Sequence, residues 1–138
     1  NIDSALETIN TGSENPEDWI CLIAAYRYNG EEEKAYEWFL KAIRKFPDTA
    51  ALYIYGGDAC KRLGRYEEAL SYWDKALEIN PTFHDAKYSK IFYYEEMGDY
   101  ETAYRIRREI IDDLKQDGYD VEAAADEKLA QACFEKIS

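Results

Sequence analysis

The residues best suited to catalysis or to metal binding are few in this sequence. It contains one histidine, His84, and three cysteines, Cys21, Cys60 and Cys133. A zinc site needs several Cys or His ligands at close spacing, and a Ser or Cys nucleophile needs a neighbouring base. We therefore expect no catalytic residue and no metal site. His84 is expected at the start of a helix, and the cysteines as small buried apolar residues in a reducing compartment.

The charged runs and the glycines do not form a recognisable ligand site either. The runs EEEK and YEEMGDYE lack the alternating ligand spacing of a calcium loop and suit helix starts, where acids are favourable. The glycines do not form a phosphate-binding loop and are interpreted as helix ends. The run RIRRE at 105–109 is interpreted as an outer helix face that pairs with Glu101 and Glu109. These patterns predict a protein without enzymatic activity and without a cofactor.

The composition is that of a globular protein with an acidic surface. The 138 residues carry a net charge of −12, and 46% of them are hydrophobic. This charge argues against nucleic acid as a partner, because phosphate binding needs clustered Lys and Arg. There is no apolar run near 18 residues, so we expect no membrane association. A cytoplasmic location is expected, although the sequence begins with Asn and a removed signal stays open.

The residues that could position a binding site recur at one interval. Residues at three positions recur twice at an interval of 34: Gly30, Gly64 and Gly98; Ala35, Ala69 and Ala103; and Tyr26, Cys60 and Tyr94. Pro47 recurs once at the same interval, as Pro81. Each unit is predicted to contain two helices, the first ending at the Gly and the second near the Pro. The predicted first helices cover 16–29, 50–63 and 84–97, and the predicted second helices 32–45, 66–79 and 100–115. Ala at the crossing of the two helices would allow them to pack closely.

The repeated pattern resembles the tetratricopeptide repeat (TPR). The first copy shows it as Trp19-x-x-Leu22, Tyr26, Gly30, Ala35, Phe39, Ala42 and Pro47. The second shows it as Tyr53, Gly56-Gly57, Gly64, Tyr66, Ala69, Trp73, Ala76 and Pro81. The third departs from the pattern, with Ile110 for the late Ala and Lys115 for the Pro, so its last helix is expected to run on towards Gly118.

The resemblance implies an all-α fold, a right-handed α-solenoid of about three helix-turn-helix repeats plus a C-terminal capping helix. The predicted organisation is a single domain, residues 1–138. It consists of a partial N-terminal helix (1–15), three repeats (16–49, 50–83 and 84–117) and the capping helix (118–138). The apolar stripe of the capping helix is predicted to face the last repeat and to contain Val121, Ala125, Leu129, Ala132 and Cys133.

The resemblance also implies a function, the binding of a partner's peptide or helix in a concave groove lined by the first helices. Inward positions were chosen on the side of each first helix that faces away from the Ala-marked crossing. The predicted groove residues are Ile20, Ala24, Ile54, Tyr55, Asp58, Lys61, Arg62, Tyr88, Phe92 and Glu95. In the first copy the inward positions also include Cys21, Arg27 and Tyr28. Aromatic and apolar anchors would hold the partner.

One class of partner is not expected, and two other functions compete with this interpretation. Members that bind the acidic tails of chaperones carry a carboxylate clamp of Lys, Asn and Arg. The matching positions here hold Ile20, Ala24, Tyr55, Asp85 and Ser89, so chaperone tails are not expected as partners. A structural or self-assembly role, with homo-oligomer formation, is one competing function. A regulatory arm of a larger protein is the other.

Overall fold

The computed structural model describes residues 2–137 of the chain. Within that range the chain forms α-helices joined by short turns and contains no β-strand. The helices are α1 (Ile2–Asn10), α2 (Pro16–Tyr28), α3 (Glu32–Lys45), α4 (Ala50–Arg62), α5 (Tyr66–Ile79), α6 (His84–Glu96), α7 (Tyr100–Gln116) and α8 (Asp120–Glu135). The all-α class and the predicted order of helix pairs are confirmed.

Local signals in the sequence account for the helix ends. The Asn15 side chain accepts a hydrogen bond from the Glu17 backbone N–H at 3.0 Å, and Pro16 is the first residue of α2. Gly30, Gly64 and Gly98 have φ values of 79°, 80° and 81°, a left-handed conformation that glycine adopts without steric cost. These glycines end the first helix of each pair, as predicted. In the third pair α7 reaches Gln116, which confirms its predicted extension.

The chain divides into two compact units, one ending at Pro81 and the other beginning at Thr82. In the first unit, which contains α1–α5, aromatic side chains fill the core around α4. A Cβ atom at Gly56 would overlap the Phe39 ring on α3, and one at Gly57 would overlap the Trp73 indole on α5. Both rings are fully buried. The adjacent glycines therefore let two large rings pack directly against the α4 backbone.

The second unit, which contains α6–α8, has an aliphatic core with charged groups inside it. Its fully or nearly fully buried residues include Ile91, Ala103, Ile110, Ile111, Ala123, Ala130 and Cys133. Arg107 on α7 is also buried, with 4% of its surface exposed, and its Nη2 atom lies 3.4 Å from both Glu95 carboxylate oxygens. The prediction that residues 105–109 form an outer face is wrong for Arg107. This guanidinium turns inward because α6 supplies the carboxylate of Glu95.

The prediction for the buried face of α8 holds for Cys133 and is wrong for Val121, Ala125, Leu129 and Ala132. The helix buries Ala123, Asp126, Ala130 and Cys133, whereas Val121, Ala125, Leu129 and Ala132 are exposed. Polar contacts to α6 and α7 accompany this orientation. Glu127 accepts hydrogen bonds from Arg108 and Lys115 on α7, both at 3.0 Å, and Asp126 accepts one from the Tyr88 hydroxyl at 2.8 Å. With these three contacts, the acidic side of α8 faces the unit and its larger apolar residues face outward.

Candidate functional site

An open apolar hollow lies beside α2 in the first unit. It encloses about 810 Å³ between α1 and α2, and its lining consists of Ile2, Asp3, Cys21, Ala24, Ala25, Tyr28 and Asn29. The α2 residues recur at intervals of three and four and therefore share one helical face. The opposite side of α2 carries Leu22, Ile23 and Tyr26 into the core. The short side chains of Ala24 and Ala25 make the hollow deeper at its floor.

Tyr28 is the most exposed large apolar side chain in the described chain, at 97%. Cys21 is exposed too, so its prediction as a buried residue is wrong, whereas Cys60 and Cys133 are buried as predicted. The hollow thus combines a protruding aromatic ring, a thiol and a floor of small side chains. Such a surface can bury apolar groups of a ligand and stack on an aromatic ring, but it provides few hydrogen bonds.

Three of the predicted groove residues differ in how far they reach the surface of the first unit. Ala24 lines the hollow. Ile20 and Ile54 are buried, so they support α2 and α4 from inside and leave little surface for a partner. The spacing along each helix predicted these residues as a set but did not separate residues in the core from residues at the surface.

The predicted α4 residues belong to a network that joins three helices. The Asp58 carboxylate accepts a hydrogen bond from the Trp73 indole Nε1 at 3.1 Å and lies 3.7 Å from the Arg27 guanidinium. Arg27 also lies over the Tyr55 ring, 5.9 Å from its centroid. Asp58 therefore has a structural role, because it links the core Trp73 on α5 to Arg27 on α2.

The two predicted basic residues lie at the C-terminal end of α4. Arg62 is exposed and its Nη1 lies 3.6 Å from the Glu32 carboxylate on α3. Lys61 is half-buried. Only 17% of the Glu32 side chain is exposed, so this ion pair joins the end of α4 to the start of α3.

In the second unit the three predicted residues have separate surroundings. The Tyr88 hydroxyl donates to Asp126 on α8, and burial, followed by this hydrogen bond, raises the pKa of Tyr88 to about 12. The Tyr88 ring stacks on Phe92 with centroids 6.4 Å apart, and Phe92 is exposed. Glu95 is paired with Arg107. Phe92 is therefore the member of this set that offers apolar surface to a partner.

Ile2 and Ala25 line the hollow but were missed by sequence reasoning. Ala25 follows Cys21 by four residues and precedes Tyr28 by three, a spacing that signals a shared face. Ile2 had no comparable signal, because its place beside α2 depends on how α1 packs.

The buried thiols and the histidine have the following surroundings. Burial raises the pKa of the Cys60 thiol to about 12 and also raises that of Cys133, so both thiols stay protonated at neutral pH. His84 begins α6, and its Nε2 lies 3.5 Å from the Asp113 carboxylate. Across the described residues, no group of three or more His, Cys, Asp or Glu side chains is placed to hold a metal ion. Nor does any helix within 2–137 have the length and apolarity needed to cross a bilayer.

Comparison with known proteins identifies the repeat. Residues 52–83 match the family model described as tetratricopeptide repeat. Over 70 residues the chain is 31% identical to Superkiller protein 3 of Saccharomyces cerevisiae, and over 71 residues it is 37% identical to a Protein SGT1 homolog of Oryza sativa subsp. japonica. Each match covers 51% of this chain but only 5% and 19% of those relatives. Most of each relative therefore has no counterpart here.

Solved structures show the same fold over most of the chain. A thermophilic TPR protein of Thermus thermophilus superposes with a TM-score of 0.80 at 19% identity, covering 95% of this chain and 71% of that one. A structure described as the TPR2B-domain:pHsp70-complex of yeast Sti1 superposes with a TM-score of 0.75 at 18% identity, covering 90% and 99%. These comparisons confirm the predicted resemblance and the fold.

Proposed function

We propose that this chain, whose residues 52–83 match the tetratricopeptide repeat and whose fold is that of TPR proteins, holds an apolar segment of a partner protein in the hollow beside α2. Tyr28 and the small residues of the α2 face would bind one side of that segment. Tyr55 and Arg62 on α4, and separately Phe92 on α6, remain predicted contact residues. The partner would be a peptide or a helix, with no nucleic acid or membrane involved.

The observation that carries this proposal is the exposure of Tyr28 at the edge of an apolar hollow. A tyrosine ring that is 97% exposed contributes nothing to the core of the unit. Covering such a ring can bury roughly 150 to 250 Å² of surface, and aromatic residues dominate the binding energy of many protein interfaces. A floor of Ala24 and Ala25 allows the backbone of a helix or an extended peptide to approach closely.

Charge indicates the flanks of the partner segment. Asp3 lies in the lining of the hollow, and the whole chain carries a net charge of −12. A segment with an apolar face and basic flanking residues would associate faster than an acidic one. The yeast Sti1 structure is described as a complex of a TPR domain with pHsp70, and this complex supports protein binding by the fold. We do not propose the same class of partner for this chain, because Ile20, Ala24 and Tyr55 stand at positions where a carboxylate clamp has Lys or Asn.

The test begins with a displayed library of random peptides, each about 16 residues long and so able to span a hollow bounded by two short helices, selected against the chain. Selected peptides are made synthetically, and their affinity is measured by fluorescence anisotropy. Ala24→Arg fills the floor of the hollow with a long charged side chain, and we expect it to weaken binding at least about 10-fold because the apolar contact is lost. Met97→Arg makes the same charge change on an exposed turn of the second unit and should leave the affinity unchanged.

Cys21 provides an independent measure of where the peptide binds. Its thiol lines the hollow and is exposed, whereas Cys60 and Cys133 are buried and have raised pKa values. Alkylation by iodoacetamide, followed by mass spectrometry, should therefore modify Cys21 first, and a bound peptide should slow that modification. Selected peptides that bind Ala24→Arg normally and leave Cys21 unprotected would move the binding site away from the hollow.

A further inference from the structure

Helix α8 exposes its larger apolar residues and buries its smaller ones. Val121 is 80% exposed and Leu129 is 51% exposed. The residues buried within the unit are instead Ala123, Asp126, Ala130 and Cys133. A helix at a free surface normally shows the opposite arrangement, since burial of Val or Leu stabilises more than burial of Ala or Asp. The outward apolar face of α8 therefore suits a helix that is covered on both sides.

This orientation is held by specific contacts, so the outward face is not free to rotate inward. The Glu127 carboxylate bonds to Arg108 and to Lys115, and Asp126 accepts from Tyr88. Rotation that buried Leu129 would break all three contacts and expose Asp126. Phe134 adds a ring contact to Tyr104 on α7, with centroids 5.4 Å apart.

The exposed residues form one straight stripe, which we name the α8 stripe: Val121, Ala125, Leu129 and Ala132. Their spacing of four, four and three residues keeps them on one helical face, over a length of about 16 Å. The two alanines let another helix approach closely, and Val121 and Leu129 supply the apolar area. This pattern fits a partner helix that lies nearly parallel or antiparallel to α8.

The charges beside the α8 stripe distinguish between possible partners. Glu122 lies in the first turn of α8 and Lys136 directly follows its last residue, and both are exposed. Their midpoint in the sequence is Leu129. If a second α8 packs antiparallel with Leu129 at the twofold axis, Glu122 of each copy meets Lys136 of the other. A parallel pair would instead place Glu122 against Glu122.

We propose that the α8 stripe is a self-association surface, on which a second copy of this chain packs its own α8 antiparallel. The two-fold relation makes the surface self-complementary in shape and in charge. The Lys136 ammonium lies 5.2 Å from the Tyr100 ring centroid, so pairing with Glu122 of a second copy would add to or replace this contact. The stripe shares no residue with the hollow beside α2, so this proposal does not depend on the proposed peptide binding.

The first test is sedimentation velocity on the chain over concentrations from about 1 to 500 μM, since an interface of two short helices is small and its dimer weak. We expect a reversible monomer–dimer equilibrium. Leu129→Glu places two like charges at the twofold axis, so it should raise the dimer dissociation constant at least about 100-fold. Met97→Glu is the matched control, because Met97 is also 51% exposed and lies in the same unit. It should leave the dissociation constant unchanged.

The second test reverses the flanking charges and depends on the direction of packing. Glu122→Lys alone should weaken the dimer about 10-fold, since each introduced lysine then faces Lys136 of the other copy. Adding Lys136→Glu restores both opposite-charge pairs and should recover most of the affinity. In a parallel pair the double reversal would bring no recovery. Circular dichroism checks that each variant keeps its helix content.

Three outcomes would overturn the proposal. The chain could stay monomeric throughout the concentration range, or Leu129→Glu could associate as strongly as Met97→Glu. Association could also be abolished by Ala24→Arg and not by Leu129→Glu, which would assign it to the hollow. Peptide binding is read separately through Cys21 protection, so the failure of either proposal leaves the other measurable.

Discussion

Trp73 and Arg107 lie 34 residues apart and occupy the same place in their repeats, yet they build different cores. Trp73 packs against Gly57 and donates its indole N–H to Asp58. At the position matching Gly57 the later repeat has Ile91, which leaves no space for a ring of that size. Arg107 instead pairs with Glu95, and two of its nitrogens, Nε and Nη1, are buried without a hydrogen-bond partner among the described residues.

The two units therefore reach a packed core by different means. The first uses close contact between rings and a glycine-containing backbone, a contact that depends on shape and excludes water. The second uses charged and polar links between its helices, from Arg107 to Glu95 and from Tyr88 to Asp126. Links of this kind stabilise little net of desolvation, but removing one partner leaves a buried polar group unpaired. The same helix-pair fold thus tolerates either solution.

The largest effect is expected from making the first unit resemble the second. Gly57→Ile gives α4 the residue that α6 has at the matching position, and its side chain would overlap the Trp73 indole. We expect the free energy of unfolding to fall by about 3 kcal/mol, measured by urea denaturation. In a Trp73→Ala background the same substitution should cost much less. An equal cost in both backgrounds would show that the overlap with Trp73 is not the cause.

A smaller effect is expected from breaking the ion pair of the second unit. Glu95→Ala leaves the buried Arg107 guanidinium without its carboxylate, and we expect a loss of about 2 kcal/mol in the free energy of unfolding. Glu101→Ala, which removes an exposed carboxylate from α7, should change it by less than about 0.5 kcal/mol. Combining Glu95→Ala with Arg107→Met should recover stability, since no buried charge remains. Equal effects of the two single variants would contradict a buried pair.

The smallest effect concerns the hydrogen bond that joins α6 to α8. Tyr88→Phe leaves the buried Asp126 carboxylate without its donor and should cost about 1 kcal/mol at about pH 8. Burial and Asp126 raise the folded-state pKa of Tyr88 to about 12, above the value near 10 in unfolded chains. The stabilisation is therefore complete below about pH 10 and is lost as the pH rises towards about 12.

Urea denaturation of the parent and Tyr88→Phe proteins at about pH 8 and about pH 11.5 checks this sign. Ionisation of the other tyrosines affects both proteins and cancels in the difference between them. Arg107 and Asp85 also act on the Tyr88 phenol, in opposite directions, and both are present in the two proteins. The difference in unfolding free energy should shrink at the higher pH. A difference that stays constant would mean that the folded-state pKa of Tyr88 is not raised.

The candidate site was predictable only in part, because helical spacing indicates a side of a helix and not its exposure. Ala24 and Ile54 were both predicted at inward positions of their helices, but Ala24 lines the hollow and Ile54 is buried. Asp58 was predicted as a contact residue from the same spacing. In the structure its carboxylate accepts a hydrogen bond from Trp73 and forms an ion pair with Arg27. The partners that decide exposure belong to other helices, which spacing within one helix does not report.

The period of 34 residues, the helix pairs and their ends can be read from the amino-acid sequence alone. These features depend on local conformation, such as the left-handed turn at Gly64 or the cap at Asn15, and local conformation is encoded by neighbouring residues. Tertiary structure alone decided which face of α8 is buried, because Glu127 meets Arg108 across 19 residues and Asp126 meets Tyr88 across 38. Ala123, Ala130 and Cys133 pack in the core beside these contacts, and Leu129 faces outward.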